Sequence, residues 1–142
     1  MQIAESKITK TIFTKLSEGE DLIKAIEVAA KQNNINAGIF FLIGTVKEAV
    51  LGFYQNGKYN PIHKAGPLEI ASCTGNISVK KNGELVVHGH IVVSNSEGSA
   101  YGGHVMEGCV VDATVELVLL AVESGKLERK FDETKNLWFW NP

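Results

Sequence analysis

Apolar and polar residues alternate along "SKITKTIFTKL", with Ile8 and Ile12 facing one way and Phe13 the other, which predicts a first strand rich in β-branched residues. "SEGED" breaks the pattern, and Ser17 and Glu20 stand at capping-box spacing. The period then changes. In "EDLIKAIEVAAKQNN", Leu22, Ile23, Ile26, Ala29 and Ala30 fall on one stripe, which predicts a helix, and Asn33 and Asn34 suit its C-terminal end. Everything after it reads as sheet. "AGIFFLIGTVKEAVLGFYQ" is a long apolar strand interrupted by glycines; "NGK" at residues 56–58 marks a hairpin turn; "PLEIASCTGNISVK" is the next strand, bent at Gly75. Asn82-Gly83 is the strongest turn signal and joins this strand to "ELVVHGHIVVSN". "SEGSAYGGHVMEG" reads as a glycine-rich connection, "CVVDATVELVLLAVES" as a further strand ending at a Gly125 turn, and "KLERKFDETKNLWFW" as a short strand and tail. The expected fold is α+β: a curved, largely antiparallel β-sheet of about six or seven strands, with one main helix packed on it, forming one domain over residues 1–142. The aromatic end, Trp138, Phe139 and Trp140, is expected to dock on the domain's own core, a subunit interface being the competing reading.

The strand "VVHGHIVVSN" carries the chemistry. Strand alternation puts Leu85, Val87, Gly89, Ile91 and Val93 on one face and Val86, His88, His90, Val92 and Ser94 on the other. His88 and His90 then project together, with α-carbons roughly 6.5–7 Å apart. A third histidine, His104, follows Gly102 and Gly103, whose small size lets the backbone turn back toward the pair. Three neutral imidazoles and a water would form a tetrahedral site with an open position, zinc being the expected divalent ion. Glu107 and Glu116 are the carboxylates near enough in sequence to assist, and Gly102 and Gly103 form the glycine-bearing side of the same candidate site. The competing reading is a hydrogen-bonded histidine cluster lining a pocket or subunit interface. His63 lies in "YNPIHKAG", read as a surface loop.

Composition narrows the function classes. The formal net charge is −2. A free-standing DNA-binding domain usually carries a basic excess, because phosphate contacts supply much of its affinity, so direct DNA binding is disfavoured. Cys73 and Cys109 fit two buried, reduced thiols better than a disulfide, though one bridge remains compatible with the sequence. "MQIAESKITK" has no apolar signal core, and no run approaches the ~18 apolar residues of a membrane span. The expected location is cytoplasmic, without membrane association. Nucleophile-elbow, P-loop and dinucleotide-binding patterns do not occur.

Several segments together resemble the plants-and-prokaryotes-conserved (PPC) domain, found also in plant AT-hook nuclear-localised proteins. They are "GEDLIKAIEVAAKQNNINAG" (19–38), "IGTVKEAVLGFY" (43–54), "PLEIASCTGNIS" (67–78), "VHGHIVVSNSEGSAYGGHVMEGCVV" (87–111) and "TVELVL" (114–119). The resemblance implies an α+β fold and a homotrimer, as in prokaryotic single-domain members, which carry the histidine pattern seen at His88, His90 and His104. The family is commonly labelled DNA-binding because of its plant relatives. There an AT-hook contacts DNA, while the PPC domain serves nuclear localisation and protein association. Arg129 is the only arginine here, so the chain has no AT-hook. Gly89 is a departure, since the family tends to have a larger apolar residue between the histidines. The functional expectation is a PPC-domain protein with a three-histidine metal site, DNA-associated or regulatory by resemblance. The alternative is a metal-dependent enzyme or small-ligand-binding protein without direct DNA contact.

Overall fold

The computed structural model describes residues 3–123 and 127–141; the turn expected at Gly125 lies outside them. Along the described chain run β1 (Ile8–Leu16), α1 (Leu22–Gln32), β2 (Gly38–Gln55), β3 (Lys58–Lys80), β4 (Leu85–Ser94), β5 (Ala100–Val105), β6 (Val110–Val122), β7 (Glu128–Asp132) and β8 (Leu137–Trp140). The α+β expectation holds, but among the described residues the sheet has eight strands and is mixed, in the order β1-β6-β2-β5-β4-β3-β7-β8. All pairings are antiparallel except β3–β7, where Val79 and Lys80 run parallel to Glu128 and Arg129. The sheet also goes beyond curvature. β2 pairs with β3 as well as β5, so β2, β5, β4 and β3 close on one another. Breaks in register near Gly44 and Lys47 bend β2 and let one 18-residue strand serve three neighbours.

Two segments read as loops are strands. "YNPIHKAG" belongs to β3, because the Asn56-Gly57 turn, with both φ angles positive, zips the chain directly from Gln55↔Lys58 onward and leaves His63 exposed opposite Val50. "AYGGHV" is β5, held against β4 by the ladder from Ser94↔Ala100 to His90↔His104. The turn at Asn82-Gly83 joins the strands as expected, through residues 81–83: Lys80 pairs its backbone with Glu84, and Gly83 takes the left-handed position.

The helix N-cap is Asp21, whose Oδ1 accepts from the Lys24 amide at 3.1 Å. Ser17 and Glu20 instead close the preceding turn, the Ser17 amide donating to Glu20 Oε2 at 2.6 Å. Asn33 caps the other end and Asn34 adopts φ 56°. Leu22, Ile26 and Ala30 pack the helix into a core shared with Phe40, Leu117 and Leu119. Cys73 and Cys109 are buried and free, and burial pushes the Cys73 thiol up to about 12. No described helix is long and apolar enough to cross a membrane. The aromatic tail is not buried in the core: Trp138, Phe139 and Trp140 are 37%, 44% and 43% exposed on the outermost strand.

Candidate functional site

β4 follows its predicted alternation where it matters. Gly89, Ile91 and Val93 face the core, and His88 and His90 face outward. The same register sets Asn76 of β3 beside His88, Thr74 beside His90, and His104 of β5 directly across from His90. The hairpin that brings β5 back is fixed by Asn95, whose Oδ1 accepts from the Glu97 and Ser99 amides. Gly102 and Gly103 pair with Val92 and Ile91, and a Cβ on Gly103 would stand 3.0 Å from the Gly52 carbonyl oxygen of β2. His104 is thereby pressed against β2.

One nitrogen from each of His88, His90 and His104 lies within 4.8 Å of the others. Tetrahedral zinc–nitrogen bonds of about 2.0–2.1 Å place ligand atoms about 3.4 Å apart, so modest side-chain rotations close the rings around an ion. The ring centroids are 5.1–5.7 Å apart. His104 Nδ1 is buried and has no hydrogen-bond partner. An orphaned buried nitrogen is costly unless something else takes its lone pair or proton. Burial, chiefly, pushes the His104 imidazole down to about 4, with His88, His90 and Arg129 adding to it. Burial also lowers His88, followed by the charges of Arg129 and His90. Both rings are therefore neutral at pH 7, the form that ligates metals. The donor set and its protonation fit a divalent ion.

The surroundings were missed by sequence reasoning. Tyr59 stacks on His104 with centroids 4.3 Å apart, over Gly52, where any Cβ would meet the Tyr59 ring at 2.9 Å. Arg129 is buried against the cluster. Its Nε donates to Ser78 Oγ at 2.7 Å, Nη1 to the Trp138 carbonyl at 2.7 Å and Nη2 to Asn76 Oδ1 at 2.8 Å, while Nη2 lies 3.4 Å from His88 Nδ1. His88, His104, Tyr59 and Arg129 line a cleft of about 560 Å³ roofed by Trp138, Phe139 and Trp140. His90 is the exposed member of the trio. The carboxylates stand elsewhere: Glu107 pairs with Lys24 at 3.0 Å near the helix, and Glu116 is exposed on β6 between Lys15 and Ile43. Being the single arginine was the signal that could have pointed to Arg129, and only the parallel β3–β7 pairing shows where it goes.

A closed, mostly antiparallel sheet with one capping helix and three imidazoles on its outer wall defines the class. The chain belongs to the family of the Plants and Prokaryotes Conserved (PCC) domain, whose model matches residues 3–123. It is 32% identical to a plant- and prokaryote-conserved (PPC) protein from Pyrococcus horikoshii, over 100% of this chain and 98% of the other, with a TM-score of 0.90. It is 30% identical to a metal-containing protein from Archaeoglobus fulgidus, over 100% of both chains, with a TM-score of 0.89. A protein from Ralstonia eutropha carrying a provisional DNA-binding label is 25% identical, over 96% and 95% of the two chains, with a TM-score of 0.82. Bifunctional protein GlmU from a Synechococcus strain is 30% identical over 120 residues, which are 83% of this chain but 18% of that protein; the chain thus spans less than a fifth of this relative.

Proposed function

We propose that this PCC-domain protein is a metal-dependent small-ligand-binding protein, with His88, His90 and His104 as ligands of one divalent ion, zinc by preference. The observation that carries the reading is the convergence of three ring nitrogens within 4.8 Å, one of them buried without a partner. The metal-containing Archaeoglobus relative supports it, being alike in fold over its whole length. A bound ion supplies Lewis acidity beside the cleft. The chain's own residues keep His88 and His104 neutral by burial, fix the His104 ring by the Tyr59 stack, and surround the cleft with aromatic walls. We also propose the homotrimer that the family resemblance implies, supported by exposed apolar residues on β1 and β2.

The test is elemental analysis of protein purified without a nickel column. One equivalent of metal per chain is expected, with melting lowered by chelation. His90→Ala should lose the metal yet keep its circular dichroism, because the side chain is exposed. Substoichiometric metal together with chelator-insensitive melting would defeat the proposal. A second reading, DNA association, is favoured by the label of the Ralstonia relative. It requires a gel-shift affinity that falls steeply with salt.

A further inference from the structure

Arg129 is 7% exposed, so its charge is almost wholly removed from water. A buried charge is retained only when something compensates it. Its three hydrogen-bonded acceptors, Ser78, Asn76 and the Trp138 carbonyl, are all neutral. The ion pairs among the described residues all join lysines to glutamates, none of them involving Arg129. None of the described residues that line the cleft is acidic either. A divalent ion held by three neutral imidazoles would add positive charge to the same wall. Arginine also stands where metal-ligating histidines commonly meet a carboxylate. Among the described residues the cleft wall carries the Arg129 cation and no carboxylate.

The guanidinium has five N–H groups in a planar fork. Those three acceptors, together with His88 Nδ1 facing Nη2 at 3.4 Å, leave one hydrogen, on Nη1, free to donate to an oxygen of an oxyanion. The remaining walls are apolar: Val86, Leu137, Trp138 and Trp140. The volume, about 560 Å³, lies within the roughly 300–1,000 Å³ usual for small-molecule sites. We propose that the cleft binds a small oxyanion, carboxylate or phosphate, carried on an apolar ring-bearing body, with Arg129 gripping the anion. This rests on reading the cleft as the ligand site beside the three histidines. Arg129 and the β7–β8 hairpin follow the segment matched by the family model, which ends at residue 123.

Trp138 and Trp140 are the chain's two tryptophans and both line the cleft, so intrinsic fluorescence reads its occupancy. The full chain is titrated with benzoate, phenyl phosphate and, as the neutral control, benzyl alcohol, in zinc-loaded and in chelator-treated form. Saturable quenching by at least one anion is expected, with benzyl alcohol silent. The tighter of the two anions tells carboxylate from phosphate. Arg129→Gln should weaken the binding by about tenfold or more and Arg129→Lys by less, since a charge is kept but the fork is lost. Circular dichroism must show both variants folded; if neither folds, the anion-against-neutral comparison on the unmodified chain decides. No saturation by either anion in either form, or equal quenching by benzyl alcohol, overturns the inference. Anion binding to a chain that never takes up metal would end the metal reading and leave this one standing, whereas stoichiometric metal with silent anions would do the reverse.

Discussion

Gly75 and Gly89 face each other across β3 and β4, and Phe40 fills the space both leave. A Cβ on Gly89 would lie 2.7 Å from Phe40 Cζ, and one on Gly75 would lie 2.4 Å from it. The larger apolar residue that family resemblance leads one to expect between the histidines is thus replaced by a ring reaching in from β2. Gly89→Ala should therefore destabilise the fold by about 1–3 kcal/mol through overpacking, read as a lower denaturation midpoint. Metal uptake should persist, since Gly89 faces the core and the histidines face away. His104 sets a second expectation, for the metal-free chain. Its folded pKa, about 4, lies below the ordinary histidine value of 6.5. Between these values the unfolded chain binds the proton and the folded chain resists it, so stability rises with pH there. Stability should be full above pH 6.5 and fall progressively toward pH 4, and His104→Gln should flatten that slope in a series of thermal melts.

At the level of elements, Asp21 joins the helix to the far end of the sheet. One carboxylate oxygen caps the Lys24 amide, and the other accepts from the Gly108 amide at 2.6 Å, in the connection that follows β5. Its backbone bridges Val110 as well. Asp21→Ala should cost about 2–3 kcal/mol, a lost cap plus an unsatisfied amide, in chemical denaturation; Asp21→Asn, which still caps, should cost less. The helix and the strand periods were legible in the sequence because they depend on local alternation: Ile26 and Ala30 on one stripe, Ile91 and Val93 on one face. His88, His90 and His104 were legible for the same reason, a two-residue period followed by a short return. The cap moved from Ser17 to Asp21 because the partner that anchors Asp21, Gly108, is 87 residues away. The closure of the sheet by β2, the strand through Gly102 and Gly103, and the position of Arg129 were likewise set by long-range pairing. No periodicity in the sequence encodes such pairing.

The whole molecule leaves one face of β1, β6 and β2 uncovered. Phe13, Ile39, Phe41 and Ile43 are 78%, 42%, 43% and 57% exposed. Phe13 and Phe41 flank Val118 in one row, and Ile39 stands beside Leu120 in the next. So contiguous an apolar surface is normally covered by a partner, and the proposed homotrimer would supply one. The same row continues through Thr74 to His90, two strands from Phe41. Assembly and metal can therefore be separated by experiment, because all three candidate ligands come from one chain. Sedimentation of the unmodified protein should give about three times the chain mass of 15.4 kDa. Phe41→Glu would bury a charge in the proposed trimer interface, whereas in the isolated chain the side chain, 43% exposed, can reach solvent. It should shift the species toward monomer and lower the melting temperature, while metal content stays at one equivalent per chain. A single-chain mass for the unmodified protein at micromolar concentration would refute the trimer. Loss of metal with dissociation would show that a neighbouring subunit completes the site.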